Sequence, residues 1–408
     1  MAGEWRSSIW GDEISLKYGK ALRDYDIAHG KFRVYGSNGP IGWTACPLAP
    51  GPGVILGRKG AYRGVEYSPD PFFVIDTAYY VVPKTELDMR WLYYAIKHYK
   101  LGEIDDGSPI PSTTRAAVYV QDLEVPPINE QRAIAHILGT LDDKIQLNRR
   151  MNETLEAMAR ALFKSWFVDF EPVRAKMEGR WRKGESLPGL PAHLYDLFPD
   201  SFEESELGEI PRGWQVQGLD EIANFLNGLA LQKYPPGDGP TLPVIKIAQL
   251  RKGGTDSADR CTAAIPAEFV INDGDILFSW SGSLECILWA GDRGALNQHL
   301  FKVTSTRFPK WFYYLWVHEH LASFRHTAAG KATTMGHIQR HHLSDAKVVV
   351  PESIVLGAAN KMITPTIEQI IQRRVESRAL TTLRDTMLPK FVYGQLRVAQ
   401  LTNGHNYE

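Results

Sequence analysis

After Pro126 and Pro127 the apolar positions Ile134, Leu138, Leu141, Ile145, Leu155, Leu162 and Trp166 fall on alternating three- and four-residue steps. That is the seam expected of a helix packed along another helix. Gly139-Thr140 interrupts the run, and Thr140 with Asp143 three residues on resembles a capping box. The pattern therefore predicts a short helix at about 128–138 and a long one at about 141–167. Near the carboxy terminus Thr364-Pro365 offers an N-cap and a first-turn proline. A second helix is expected to restart there, with Ile363, Ile367, Ile370 and Leu383 on its seam. Asn148 and Asn152 occupy seam positions of the first helix where apolar residues would pack better, and such residues fix register and pairing.

Elsewhere the pattern changes. Short β-branched and aromatic runs bounded by turn residues, GVIL, FFVIDTAYYVV, LPVIKIA and DILFSW, read as strands. WLYYAIKHYK, starting at Trp91, and WFYYLWVHEHL, starting at Trp311, read as one inserted helix apiece. Two regions of this texture, roughly 13–126 and 214–351, are each followed by helical sequence, so the fold class is α+β.

The two regions match in order. EISLKYGKALRDY, Glu13 to Tyr25, aligns with EIANFLNGLALQKY, Glu221 to Tyr234, at an offset of about 209. IDTAYYVV, Ile75 to Val82, lies against LNQHLFKV, Leu296 to Val303, and the aromatic helices follow at an offset of about 220. STTRAAVYVQDLEVPP, Ser112 to Pro127, meets TTMGHIQRHHLSDAKVVVP, Thr333 to Pro351, and Arg149-Arg150 meets Arg373-Arg374. Short apolar strings recur by chance, but five matches in register do not; the chain is an internal pseudo-two-fold repeat.

Composition adds bounds. The chain has 408 residues, 44% hydrophobic, enough for more than one core. A net charge of −1 means that any polyanion surface is local. Cys46, Cys261 and Cys286 include no CxxC pair, which argues against a disulfide framework or a thiolate zinc site. No apolar run of signal-peptide or membrane-spanning length occurs, so a cytoplasmic protein away from any membrane is expected.

Geometry suggests a use for paired helices. About 27 residues at 1.5 Å rise make a rod of roughly 40 Å, comparable with one turn of B-DNA at about 34–36 Å. Two such rods, paired antiparallel in coiled-coil fashion, suit a reader of two half-sites. Because the two globular regions differ in detail, the half-sites would be unlike.

These residues carry a family resemblance. PPINEQRAIAHILGTLDDKIQLNRRMNETLEAMARALFKSWFVDFEPVRAK, Pro126 to Lys176, resembles the central helical region of the specificity subunits of type I restriction-modification systems. ELGEIPRGWQV, Glu206 to Val216, is similar to the approach to their second target-recognition domain, and ALNQHLFKV, Ala295 to Val303, to a strand within it. The resemblance implies a non-catalytic DNA-specificity subunit of a methyltransferase or endonuclease complex that defends against foreign DNA. Two target-recognition domains read the halves of a bipartite asymmetric site, and helical spacers set the gap. It also implies double-stranded DNA and two methyltransferase subunits as partners, with nuclease-translocase subunits joining them. No cofactor is expected on this chain; S-adenosylmethionine, and ATP with magnesium where a nuclease is present, belong to partner subunits. The expected division is 1–126 first domain, 127–169 central spacer, 170–212 connecting segment, 213–351 second domain, and 352–408 carboxy-terminal spacer and tail. The last spacer lacks the NEQ opening of the first.

Candidate contact residues lie in loops dense in Gly, Ser, Thr, Lys and Arg, since cations reach phosphates and polar side chains reach base edges. The first region offers GRKGAYRG, with Arg58, Lys59, Tyr62 and Arg63, and SPIPSTTR, with Ser112, Thr113, Thr114 and Arg115. The second offers three stretches. KIAQLRKGG carries Lys246; SWSGS carries Trp280, Ser281 and Ser283; AGKATTMGHIQRHH carries Lys331, Thr333, Thr334, His337, Gln339 and Arg340. Solvated loop charge is the bland reading of each. Arg149, Arg150, Arg160 and Lys164 on the first helix face DNA, a partner or solvent.

Sharper chemistries find less support. His318, His320, His326, His337, His341 and His342 cluster in sequence, but a metal site needs three or four converging ligands. DPFF, Asp70 to Phe73, lacks the second proline of an amino-methyltransferase signature, and no GxxxxGK[ST] loop occurs. The alternatives are a self-contained adenine methyltransferase or nuclease using DPFF and the His-rich loop, and a purely protein-binding helical scaffold.

Overall fold

A computed structural model describes residues 4–25, 30–105, 107, 109–330 and 336–397. The chain forms two compact units, Met1–Ile145 with Ala379–Glu408, and Gln146–Arg378.

In the first unit β1 (Arg6–Ile9) and α1 (Trp10–Glu13) lead into β2 (Ile14–Tyr18), where Ile14 and Leu16 alternate inward. There follow β3 (Phe32–Gly36), β4 (Gly39–Thr44), β5 (Gly53–Gly57), β6 (Val65–Ser68), β7 (Phe72–Val74) and β8 (Ala78–Pro83). One sheet has the order β2-β8-β5-β6, all antiparallel. A second, β4-β3-β7, joins β3 to β4 antiparallel and to β7 parallel. Helix α2 (Met89–His98) starts where the Asp88 carboxylate accepts from the N–H groups of Arg90 and Trp91 at 3.0 and 2.9 Å. It seats Trp91, Leu92 and Ala95 on the first sheet's buried face. After α3 (Arg115–Tyr119), β9 (Asp122–Val125) returns to pair with β1, matching Arg6 with Val125. Helix α4 (Ile128–Phe163) then begins.

In the second unit α5 (Glu171–Met177) and the hairpin β10 (Phe202–Ser205) with β11 (Gly208–Pro211) precede the mixed region. Phe170, Val173, Trp181, Leu194, Phe198 and Ile210 from this stretch are buried in the unit's main core. The mixed region opens with β12 (Gln215–Gly218), α6 (Leu219–Ile222), β13 (Asn224–Asn227), β14 (Thr241–Ile245), α7 (Ile247–Lys252), β15 (Arg260–Thr262) and β16 (Val270–Ile271). It continues with β17 (Ile276–Ser279), β18 (Cys286–Leu288), β19 (Gly294–Leu296) and β20 (Leu300–Thr304). Then come α8 (Lys310–Gly330), α9 (His341–Asp345), β21 (Lys347–Val350) and α10 (Ser353–Val392).

The mixed regions of the two units share one topology, with β16 added beside β19 in the second. The sheet β13-β20-β17-β18 repeats β2-β8-β5-β6 strand for strand, all antiparallel. β14 pairs antiparallel with β15 and parallel with β19, as β3 does with β4 and β7. β12 pairs with β21 as β1 does with β9, matching Gln215 with Val350. Helix α8 follows β20 as α2 follows β8, and the aromatic strings that open both helices bury Trp91 and Trp311. The duplication read from the sequence is thus a duplication of fold.

The expected break at Gly139-Thr140 is not observed: α4 runs unbroken through it. Arg90 of α2 lies against Gly139, donating to its carbonyl oxygen at 3.0 Å and to Asp143 at 2.5 Å; a Cβ at 139 would sit 2.6 Å from the guanidinium carbon. The glycine admits a neighbouring side chain, and the Thr140 hydroxyl donates back to the His136 carbonyl at 2.8 Å instead of capping. The expected restart at Thr364-Pro365 likewise falls inside α10. Buried Ile363, Ile367 and Ile370 hold that segment helical against the core, so packing outweighs the missing proline N–H. The first helix closes as a π turn, Lys164–Val168, and Phe170 at φ 55° with Pro172 behind it ends the path.

Helices α4 and α10 meet in each unit, and in each the contact numbers fall on one helix as they rise on the other, an antiparallel pair. In the first unit Arg397 and Trp5 donate to Glu130, each at 3.0 Å, and Arg384 donates to Asp142 at 2.6 Å, whose other oxygen accepts from Tyr94 at 2.6 Å. Ile134 and Leu138 are buried with Leu388, Phe391 and Val392, and Leu141 is half-buried. Leu383, expected on the seam, is instead 47% exposed, because Arg384 and Leu388 hold the inward positions. In the second unit Asn148 donates to Glu376 at 2.8 Å and Asn152 to the Ile370 carbonyl at 3.3 Å. Leu155 and Leu162 are half-buried against a core holding Trp166, while Ala159 and Phe163 complete the seam. Among the described residues no helix is long and apolar enough to cross a membrane.

Candidate nucleic-acid interface

The first-unit loops that the sequence singled out meet at one corner. Lys59 and Ser112 form an isolated antiparallel bridge between the β5–β6 loop and the segment before α3. Beside it the Thr113 N–H donates to the Arg58 carbonyl at 2.9 Å, and the Gly60 N–H to the Pro111 carbonyl at 3.0 Å.

The second unit builds the same corner from other residues. Ser281 and His337 form the bridge. The Ile338 N–H donates to the Trp280 carbonyl at 3.0 Å, and the Gly282 N–H to the Gly336 carbonyl at 2.9 Å. Strand register fixes the correspondence, since Leu56 faces Tyr79 across β5–β8 and Phe278 faces Phe301 across β17–β20. Arg58 therefore answers to Trp280, Lys59 to Ser281, and Ser112 to His337. The pairs Tyr18–Tyr79 and Asn227–Phe301 match in the same way.

Within the first corner the candidates divide by role. Arg63 donates to the carbonyls of Gly102 at 2.7 Å, Gly60 at 2.8 Å and Ile104 at 3.3 Å, and so ties the loop down. Thr113 is fully buried and donates to Ile104 at 3.0 Å, while Thr114 caps α3 by accepting from Ala117 at 3.3 Å. Tyr79, pushed up to about 12 by burial, keeps its proton and donates to the Thr113 carbonyl at 3.3 Å. Lys59 and Tyr62 face outward, Tyr62 with 77% of its surface exposed, and Ser112 is half-buried. Arg58 and Arg115 are half-buried and share one support: their guanidinium carbons lie 5.1 and 4.0 Å from the ring centre of Tyr18.

In the second corner Trp280 donates through Nε1 to Asn227 Oδ1 at 2.9 Å and the Gln298 carbonyl at 3.1 Å. His299 lies tilted against the Trp280 ring at 5.8 Å and His337 edge-on at 6.3 Å, and Ser281 Oγ is 3.2 Å from His299 Nδ1. The Ser283 side chain is exposed, and its carbonyl accepts from Ser279 at 2.6 Å. Gln339 and Arg340 are exposed at the start of α9. Lys331, Thr333 and Thr334 lie outside the described residues.

KIAQLRKGG, expected as a loop, is helix α7: Gln249 Oε1 accepts from the Lys246 N–H at 3.3 Å, and Gly253 at φ 72° closes the far end. Lys246 pairs with Asp259. Ile247 borders the corner, 3.6 Å from where a Cβ on Gly282 would lie.

Arg149 and Arg150 are exposed on α4; Arg160 pairs with Glu156 at 3.8 Å and Lys164 with Asp169 at 2.5 Å. The histidines disperse. His318 is half-buried on α8, its imidazole lowered to about 3 by desolvation and by Arg160, and His320 lies 2.9 Å from the Lys347 carbonyl. Among the described residues no three His, Cys, Asp or Glu side chains converge as a metal site.

Sequence reasoning missed Tyr18, Asn227, Gln298 and His299. All four lie in strings used to detect the repeat, outside the loops chosen for composition, so a loop-based search passed over them.

The comparisons with known proteins agree with this architecture. Residues 24–157 match the model of the type I restriction modification DNA specificity domain. The specificity subunit of the type I restriction enzyme MjaIX of Methanocaldococcus jannaschii is 24% identical over 408 residues, covering 96% of this chain and 89% of that protein. That of the HindI enzyme of Haemophilus influenzae is 24% identical over 341 residues, 74% of each chain. A crystal structure of a type I restriction-modification S subunit from M. genitalium shares the fold, with a TM-score of 0.58 at 16% identity over 95% of this chain and 96% of that one. A specificity-domain match over residues 24–157, with relatives that align along most of the length, makes this chain similar to the specificity subunits of type I restriction-modification systems.

Proposed function

We propose that the chain reads a bipartite, asymmetric DNA site through two target-recognition domains, 1–126 and 213–351. The helical stretches 127–169 and 352–408 set the gap and dock partner subunits, and 170–212 connects the first spacer to the second domain. The chain is a non-catalytic DNA-recognition component; methyl transfer, and cleavage where it occurs, belong to subunits that assemble with it. Two methyltransferase subunits, with two nuclease-translocase subunits where present, complete the complex in the cytoplasm. The observation that carries this reading is the shared corner: one topology, built twice, presents two equivalent loop junctions lined by unlike side chains. Equivalent placement supports equivalent tasks, and unlike lining supports unlike half-sites, because base identity is read by side-chain donors and acceptors at groove edges.

Of the candidate contacts, Arg58, Lys59, Tyr62, Ser112 and Arg115 serve the first half-site. Lys246, Trp280, Ser281, Ser283, Lys331, Thr333, Thr334, His337, Gln339 and Arg340 serve the second. Arg63, Thr113 and Thr114 hold the first loop in shape for its neighbours. Mapping methylated adenines in cells with and without this chain tests the reading. A split asymmetric motif that appears only with the chain is expected; an unchanged methylation pattern would refute it.

A further inference from the structure

Two guanidinium groups on one tyrosine ring need a reason. Arg58 and Arg115 lie 5.1 and 4.0 Å from the ring centre of Tyr18, and both also approach Tyr79 at 5.8 Å. Like charges on one ring repel, and among the described residues neither arginine is ion-paired with a carboxylate. Arg58 donates to the Asp76 carbonyl at 2.9 Å. The Nε atoms of both arginines are buried without a hydrogen-bond partner. Such an arrangement is poised for an electron-rich ligand that brings acceptors to the terminal guanidinium nitrogens.

Geometry narrows the ligand. A guanidinium stacked on a ring turns its donors to the perimeter of its plane, where they form a rigid fork. A fork of fixed orientation matches two acceptors side by side, as O6 and N7 of guanine present them in the major groove. A phosphate needs only a cation within reach, and exposed Lys59 stands next in the chain to serve it. At the equivalent place the second unit has Trp280, whose one N–H is already given to Asn227 and Gln298. Trp280 itself presents no such fork.

From this we infer that Arg58 and Arg115, braced on Tyr18, are the guanine-reading residues of the first half-site, and that the equivalent position in the second half, Trp280, imposes no guanine requirement. The inference rests on the proposed reading of DNA by both halves and adds which base is read, and by what.

The test is selection of bound sequences from random duplexes by the full chain assembled with its methyltransferase partner, comparing wild type with Arg115→Ala, Arg58→Ala, Arg115→Lys and Tyr18→Leu. Wild type is expected to enrich a split motif with guanine fixed in one half. Each Ala variant should lose that guanine preference, with affinity for the wild-type site falling roughly ten- to a hundredfold, while the other half of the motif persists and reports an intact fold. Arg115→Lys should keep binding to bulk DNA without restoring guanine, and Tyr18→Leu should weaken the preference at the same position. Guanine retained in the Ala variants, an affinity loss equal for all sequences, or loss of both halves together would each overturn the inference. Failure of wild type to enrich any motif would instead refute the reading on which it rests.

Discussion

The backbone N–H of Thr113 donates to the carbonyl oxygen of Arg58 at 2.9 Å, joining two loops more than fifty residues apart. The Thr113 side chain secures this junction from below, with its hydroxyl 3.0 Å from the Ile104 carbonyl and 3.3 Å from that of Gly102. Thr113→Val keeps the shape and removes the donor, leaving buried carbonyls short of a partner. A loss of about 1–2 kcal/mol is expected, with weaker discrimination at the first half-site alone, measurable by chemical denaturation and by binding to duplexes altered in one half.

Asn148 is fully buried and donates to Glu376 across the helix pair. Asn148→Asp exchanges that donor for a second carboxylate and sets like charges against each other out of water. Stability should fall by about 2–4 kcal/mol at neutral pH and recover in part as the medium is acidified. Asn148→Leu should fold with a melting temperature close to wild type, since an apolar residue suits the seam, but with looser pairing. Thermal melts of the three chains at pH 7 and pH 5 decide between these outcomes.

Glu13 is buried and accepts from Arg6 at 3.0 Å, Ser8 at 2.6 Å and Thr85 at 2.5 Å. The Arg6 guanidinium holds its carboxyl at about 2, below the ordinary 4.5. A depressed acid contributes stability that is complete above the ordinary value and lost as pH falls toward the folded one. Unfolding free energy should therefore decline between pH 4.5 and about 2. Glu13→Gln should flatten that limb and cost about 1–3 kcal/mol at pH 7; a limb of unchanged slope would assign the acid sensitivity elsewhere.

His318 acts in a higher window. Burial, with Arg160 nearby, lowers its imidazole from 6.5 to about 3, so the unfolded chain takes up a proton that the folded chain refuses. Stability should fall as pH drops below 6.5, with a slope approaching about 1.4 kcal/mol per pH unit. His318→Phe should remove this slope while leaving the limb below pH 4.5 in place. Melting profiles from pH 8 to pH 2 separate the two groups.

Much of this fold was legible in the chain. Runs such as FFVIDTAYYVV and DILFSW became strands because β-branched and aromatic residues fit a half-buried pleat. The duplication showed because strand and helix strings kept their order. What misled was local punctuation. Gly139 looked like a break, yet it makes room for Arg90, a contact decided by another helix; Pro365 looked like a start, yet buried isoleucines carry the helix through it. KIAQLRKGG has loop composition but is capped by its own Gln249 and Gly253. Tyr18 escaped notice because its role depends on β2 lying beside β8, a pairing between residues some sixty positions apart. Loop composition singled out the candidate loops, and strand register was needed to bring them to one corner with the residues that brace them.

The central claim is that one reader was built twice. In each half the ends of the mixed region are paired strands, Arg6 with Val125 and Gln215 with Val350, so each region is closed at the point where a graft would join. The most direct measurement replaces residues 6–125 with a second copy of residues 215–350 and maps the bases methylated in cells carrying the chimaera and its partner subunits. The account predicts a motif in which the second half-site occurs twice and the first is gone. A motif that keeps two unlike halves, or a folded chimaera that loses the first half-site without gaining a second copy of the other, would contradict it.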